Sequence, residues 1–171
     1  MSAVRQERAD RRSWFASQLN LAVRTGSEDD WEFVGNLGRR TASSSVSSLR
    51  PAEERFVAAS FDRLVDVVRA QSHIVLVAEC DGAPCGFLLL LDALPDDVTA
   101  LPQAFVAYMA VEPGHQRKGV GAALLRSAER EAKQRGLPYI ALMVTEENAA
   151  ARALYAGGGY LAERRLLSKP L

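Results

Sequence analysis

Val111-Glu112-Pro113-Gly114-His115-Gln116-Arg117-Lys118-Gly119-Val120-Gly121 is the stretch from which the fold can be read. An apolar, strand-like run, Ala104 to Val111, ends there. A helix-like run, Ala122 to Arg135, follows at once, with Leu124, Leu125, Ala128 and Ala132 on one side. A strand that hands over to a helix through glycines is a β-α unit, and such units imply a sheet with helices packed on it. Gly119 and Gly121 have no Cβ, so a ligand can approach the backbone closely. The first amides of the helix lack intrahelical partners. With the helix dipole they form a site suited to an anion such as a diphosphate. Arg117 and Lys118 add positive charge beside it.

Two common phosphate loops do not fit. Gly114 and Gly119 have the Walker spacing, but Val120 stands where that loop needs lysine. The dinucleotide fingerprint needs a third glycine where Leu124 stands, and it belongs in the first β-α unit, which this turn is not. What remains is Gln116-x2-Gly119-x-Gly121, preceded by Ala110-Val111-x-Pro113.

Working outward, residues 1–18 read as a charged tail or loosely attached helix with Trp14 and Phe15 as its bulky anchors. Leu19 to Thr25 alternates like a strand. Ser27 and three acids start a helix whose buried stripe is Trp31, Phe33, Val34 and Leu37. Ser43 to Ser48 is a polar linker or lid. Pro51 opens a second helix with Phe56, Val57, Phe61, Leu64, Val65 and Val68 on one face. His73 to Glu79 and Cys85 to Leu91 are strands joined by Asp81-Gly82-Ala83-Pro84 into an antiparallel hairpin. Asp92 to Gln103 reads as an irregular loop. Beyond the central helix, Gly136 ends it, Tyr139 to Thr145 is a strand, Asn148 caps a short helix through Tyr155, and Tyr160 to Pro170 is a last strand. The expected class is α/β (an α+β mixed sheet) in the order β-α-α-β-β-β-α-β-α-β, a mixed central sheet with helices on both faces. Residues 19–171 are expected to form one domain.

The 171 residues are 48% apolar and 25% charged, the composition of a soluble globular protein. Lys plus Arg is 21 and Asp plus Glu is 21, so no basic excess points to nucleic acid. The longest apolar run, Phe87 to Leu91, is too short to span a membrane. Met1 to Arg12 lacks an apolar signal core, so a cytoplasmic location is expected. Cys80 and Cys85 face each other across the hairpin turn. A disulfide is one reading; two reduced core thiols are the expected one. Two histidines and two cysteines at unrelated spacings offer no metal site.

The turn together with the second half of the chain resembles the GNAT superfamily of N-acetyltransferases. Gln116-x2-Gly119-x-Gly121 is similar to that family's acetyl-CoA loop. Asn148-x2-Ala151-x2-Leu154-Tyr155-x3-Gly159-Tyr160 is similar to its second motif, with Tyr160 for the usual Phe. One helix and one strand separate the two, as in the family. The resemblance is specific from about Val106 to Leu171 and extends to the ending Arg164-Arg165-Leu166-Leu167-Ser168-Lys169-Pro170-Leu171; before that it rests on element order.

The resemblance implies acetyl-CoA as cosubstrate, no metal, and transfer of the acetyl group to a primary amine by direct attack in a ternary complex. It implies that Gln116, Arg117, Lys118, Gly119, Val120, Gly121 and Ala122 hold the diphosphate through backbone amides. Met109, Ala110 and Val111 match the bulged strand whose backbone pairs with the pantetheine arm and polarises the thioester carbonyl, while their side chains read as core. Asn148 would bond the pantetheine arm while also capping its helix, and Ala151 would belong to the same site. Tyr155 would stand near the thioester sulfur and protonate the departing thiolate, its plainer reading being an aromatic that closes the core.

The acceptor's proton also needs a route. Phe105 and Ala107 occupy positions where relatives carry a Glu or His, and Met143 stands where relatives that acetylate protein N-termini carry a Glu. Glu79, Tyr108, Asp92, Glu112, Glu146 and Glu147 remain, and a water-relayed path is the expectation. The acceptor would be a small-molecule amine, met by the first helices, Ser43–Ser48 and the Asp92–Gln103 loop. An acyl-CoA-binding module without catalysis, or an enzyme acting on protein N-termini or lysines, are the alternatives. The family's habit of pairing sheets allows a homodimer.

Overall fold

In the computed structural model, which describes residues 19–171, the elements are β1 (Leu21–Thr25), α1 (Trp31–Thr41), α2 (Glu54–Arg69), β2 (His73–Cys80), β3 (Ala83–Pro95), β4 (Pro102–Val111), α3 (Val120–Gln134), β5 (Ile140–Leu142) and α4 (Ala149–Gly157). The tail expected over 1–18, with Trp14 and Phe15, lies outside the described residues. The five strands form one sheet in the order β1-β2-β3-β4-β5. β1 to β4 pair antiparallel, and β4 pairs with β5 in parallel. The mixed sheet expected from the β-α unit is therefore present.

β3 is the central strand. Its run Cys85 to Leu91 is buried without interruption, because both faces of the strand are covered and neither can be polar. The side chains alternate between two cores. Leu88 and Leu90 join Ile74, Leu76, Val106, Leu124 and Ala128 under α3. Phe87, Leu89 and Leu91 join Val34, Leu37, Phe61, Val68 and Val77 under α1 and α2. Gly38 lies directly beneath the Phe61 ring: a Cβ built there would sit 1.9 Å from it. The glycine is what lets α1 and α2 pack this closely.

Three expectations are corrected. Half of the Asp92–Gln103 loop is strand, since Leu94 pairs with Gln103 and Pro95 with Pro102. Only Asp96 to Leu101 turns, organised by the Asp96 carboxylate, which accepts from the Val98 and Thr99 amides and the Thr99 hydroxyl. Those bonds and Arg164 hold Asp96 well below the usual carboxylate range. The last strand, Tyr160 to Pro170, does not form. Adjacent Arg164-Arg165 and Leu166-Leu167 break the two-residue alternation a half-buried strand needs. Side chains hold the segment instead, Arg164 to Asp96 and Arg50 to Ser168. Cys80 and Cys85 are not free thiols but a disulfide. The hairpin turn is tighter than the four residues read from sequence: Asp81 and Gly82 both take positive φ, and Cys80 pairs with Ala83. This brings the two Cα atoms within 5.7 Å, inside the range a disulfide needs.

One ion pair anchors the edge of the sheet. Asp30, 7% exposed, accepts two hydrogen bonds from the Arg24 guanidinium, both at 2.8 Å, and one from the Ser27 amide. The Arg24 bonds lead in lowering its pKa from 3.8 to about 2, against a burial that would raise it. A depressed folded-state pKa stabilises above the unfolded value and loses that contribution as pH falls toward the folded one. Asp30 is thus expected to contribute at most about 2 kcal/mol above pH 4 and nothing below pH 2. Urea unfolding of wild type and Asp30→Asn should differ by a constant amount above pH 5 and converge near pH 2; a gap that persists at pH 2 would contradict the assignment.

Candidate functional site

The site grows from the place where β4 and β5 part. β5 pairs with β4 only from Ala104 to Val106. On the other side of β4 the register slips: Leu89 faces Tyr108 and Leu90 faces Val106, so Ala107 has no partner on β3. This bulge turns Ala107 and Tyr108 toward the same core, under α1 and α2, whereas Val106, Met109 and Val111 point to the α3 side. Two successive side chains on one face mark a β-bulge, and a bulge bends its strand. β4 therefore leaves β5, and residues 107–111 have no ladder on that side. The bulge lies two residues before Met109. Met109, Ala110 and Val111 line the open edge with their backbone while their side chains pack inside.

The glycine turn closes one end of this opening. Arg117 (φ +62°) and Gly119 (φ +87°) both take the left-handed conformation, which turns successive amides the same way and builds an anion-binding concavity. Among the described residues, no amide from Arg117 to Ala122 bonds to the chain; the first that does is Ala123, to the Gly119 carbonyl. The first turn of α3 carries no acid to compensate its dipole, and neither Arg117 nor Lys118 enters an ion pair among the described residues. A Cβ at Gly119 would meet nothing within 4 Å, so the cradle is open there. Gly121 has a different reason: its Cβ would lie 3.0 Å from Leu154, so this glycine lets α4 pack on the start of α3. Val120 is buried and Ala122 half-buried, so these two offer backbone only. Gln116 braces the turn, its side-chain amide donating to the Val111 carbonyl at 3.2 Å. Glu112 does the same from the other side, held by Arg40 of α1 through two bonds, the shorter 2.6 Å.

α4 supplies the far wall. The Asn148 side chain accepts from the Ala151 amide at 3.0 Å, the cap expected from sequence. Its amide nitrogen contacts the Ser44 carbonyl at 3.4 Å, which leaves one hydrogen for another acceptor. Thr145 donates to the Ser45 carbonyl, and Ser48 bonds Glu147 through both amide and hydroxyl. Ser43–Ser48 is thus a strap tied to the β5–α4 loop. Leu154 and Tyr155 pack against the α3-side core, and Tyr155 is tilted against Tyr160 at 5.9 Å. Burial raises the Tyr155 phenol above its ordinary pKa, and the nearby Tyr108 adds to this from across the opening.

The carboxylates suggested as bases do not share this space as free groups. Glu79 bonds Arg24, Asp92 bonds Arg135, Glu112 bonds Arg40, Glu146 bonds Arg152 and Glu147 bonds Ser48. Met143 points outward, 82% exposed, while Phe105 and Ala107 belong to the α1/α2-side core. Sequence reading missed three features: the Gln116 brace, the Arg40–Glu112 clamp and the strap. The clamp and the strap join residues 72 and 100 apart, which no spacing rule links, and the brace, although only five residues long, follows no helix or strand repeat. The positive φ of Arg117 was equally invisible, since only a glycine announces that conformation. A cavity of about 290 Å³ lined by Ser27, Trp31, His73, Glu131 and Arg135 lies at the other end of α3, remote from the turn. Among the described residues, no group of three or more His, Cys, Asp or Glu could hold a metal ion, and no helix is long and apolar enough to cross a membrane.

Comparison with known proteins agrees with this geometry. The model of the acetyltransferase (GNAT) family matches residues 40–160. Over 60 residues the chain is 42% identical to the [ribosomal protein bS18]-alanine N-acetyltransferase of Escherichia coli (strain K12), covering 35% of this chain and 40% of that protein. Over 58 residues it is 43% identical to Acetyl transferase GW6a of Oryza sativa subsp. japonica, covering 33% of this chain and 14% of that protein. The chain thus spans less than half the length of either relative. Among solved structures, a putative acetyl transferase from Pyrococcus furiosus superposes with a TM-score of 0.76 at 27% identity, over 89% of this chain and all of the other. Aminoglycoside N-acetyltransferase AAC(6')-Iy in complex with CoA superposes with a TM-score of 0.66 over 91% of this chain and 97% of the other; at 16% identity this likeness is one of fold.

Proposed function

The chain belongs to the acetyltransferase (GNAT) family, and from that premise we propose that it transfers an acetyl group from acetyl-CoA to a primary amine, with a small molecule as acceptor. The observation that carries this reading is the row of unbonded amides from Arg117 to Ala122 over an open Gly119, set beside the unpaired edge of β4. The first suits a diphosphate. The second suits an extended amide-bearing arm, which can pair with a free strand edge. A coenzyme A thioester carries both groups.

In the reaction, the amine lone pair attacks the thioester carbonyl carbon. The C–N bond forms, the C–S bond breaks, and the amine loses a proton to water. Tyr155 gives its phenolic proton to the departing thiolate and recovers one from water. Its raised pKa keeps it protonated through neutral pH, as a proton donor requires. With the candidate carboxylates bound elsewhere, the rising limb of the pH–rate profile belongs to the acceptor's own amine. Relatives named for acting on a ribosomal protein's alanine and on aminoglycosides leave a protein acceptor as the second reading. Thiol release measured with small amines and with N-terminal peptides decides between them.

The cofactor reading is tested by calorimetry. Wild type should bind acetyl-CoA. Gly119→Ala, whose methyl would enter the cradle at a left-handed φ, should bind it about tenfold or more weakly, the strain alone costing about 1–2 kcal/mol. The melting temperature should fall by only a few degrees. No heat with wild type, or unchanged affinity in the variant, would overturn the assignment of this turn.

A further inference from the structure

Tyr108 is held more firmly than a core aromatic at a strand bulge needs to be. Its ring stacks on Phe87 at 6.0 Å and meets Phe61 edge-on at 4.9 Å. Its hydroxyl lies 3.3 Å from the Thr41 hydroxyl at the end of α1, and either oxygen could in principle donate. The Thr41 hydrogen decides the direction. Thr41 has one hydroxyl hydrogen, and the carbonyls of Leu37 at 2.9 Å and Gly38 at 3.3 Å take it. Its oxygen can then only accept, so Tyr108 donates to it. The phenol oxygen keeps two lone pairs, of which the Ser45 hydroxyl takes one, so one is left for a ligand; Tyr155 stands near enough to be felt electrostatically. Tyr108 thus presents an oriented acceptor where β4 and β5 separate, on the side of β4 opposite the Met109 and Val111 side chains.

A base is a poor description of this group. A buried phenol is neutral at neutral pH, and the bonds beyond it end on backbone carbonyls, which cannot carry a proton onward. What a neutral, oriented oxygen can do is receive an N–H.

We propose that Tyr108 is the acceptor-binding residue of the site: its oxygen, fixed as a hydrogen-bond acceptor by Thr41, receives an N–H of the incoming primary amine and aims the nitrogen lone pair at the thioester carbonyl. This rests on the acetyl-CoA reading given above. One N–H spent on Tyr108 leaves a primary amine its second hydrogen to lose after attack.

The test needs no knowledge of the natural acceptor. Two coenzyme A derivatives are titrated by calorimetry, CoA-S-CH2-CO-NHCH3 and CoA-S-CH2-CO-N(CH3)2. The first carries an N–H near the position of the attacking nitrogen and the second does not. Wild type should prefer the first by about fivefold, the size of one neutral hydrogen bond. Tyr108→Phe, which keeps the ring packing, should bind both equally and bind free CoA as wild type does. Thr41→Val should lose the preference as well, because the phenol hydrogen is then free to turn toward the ligand, and Thr41→Ser should keep it. A wild type that binds both derivatives equally, or a Tyr108→Phe variant that still discriminates, overturns the proposal while leaving the coenzyme site intact. Failure of wild type to bind even free CoA removes the acetyl-CoA reading and this proposal with it.

Discussion

Tyr155→Phe is expected to lower the single-turnover rate of acetyl transfer by about a hundredfold to a thousandfold, within the range for loss of a positioned proton donor. A phenol with an ordinary pKa near 10 can still protonate a thiolate whose conjugate acid lies near 8.5. Burial lifts Tyr155 further, so the donor stays loaded through neutral pH and imposes no falling limb until strongly basic pH. Phenylalanine keeps the contact with Tyr160 and the place against the α3-side core. Affinity for acetyl-CoA should therefore stay within about twofold of wild type. That separation of rate from affinity is the diagnostic. A variant with unchanged rate would show that Tyr155 only closes the core; a variant that loses coenzyme binding would place its role in holding the ligand.

Phe87→Ala is expected to destabilise the fold by about 3–5 kcal/mol, the usual cost of removing a fully buried aromatic. Phe87 is 0% exposed on the central strand and touches the rings of Phe33, Phe61 and Tyr108. No neighbour is free to fill the space, because Phe61 is itself fixed over Gly38. For a chain of this length the loss corresponds to a fall in melting temperature of roughly 6–20 °C. The midpoint of urea unfolding should drop while the slope stays constant, since the surface exposed on unfolding is nearly unchanged. A loss below about 1 kcal/mol would mean that the α1/α2-side core relaxes around the cavity, and the tight packing described for it would not hold.

How far the sequence could be read follows from the range of the forces involved. Helix α3, the strand before it and the Asn148 cap were legible because their signals are local: a 3.6-residue apolar repeat, glycines at the turn, an amide side chain three residues before its partner. The two motifs begin 32 residues apart in the chain, at Gln116 and Asn148, and the β-α-β crossover between them was legible because a parallel strand pair requires such a connection. The hairpin of β2 and β3 was legible from Asp81-Gly82. Its disulfide was not: the expectation of reduced thiols rested on cell compartment, whereas the Cα separation is set by the two-residue turn together with the register shift that leaves Cys85 without a partner on β2. The last strand was misread because its apolar content was visible, while the adjacent pairs Arg164-Arg165 and Leu166-Leu167 break the alternation that a half-buried strand needs.

The sequence by itself determined which residues could form a diphosphate turn and which strand precedes it, because a chain of neighbouring amides and glycines is a local property. Tertiary structure alone decided where the sheet opens, which carboxylates are bound by arginines, and which way the Tyr108 hydroxyl points. Each of these depends on pairs such as Arg40 with Glu112, Thr41 with Tyr108 and Ser48 with Glu147, whose members are 67 to 99 residues apart along the chain. A hydrogen bond is satisfied by whatever partner lies within about 3 Å, and only the packed fold brings such partners together.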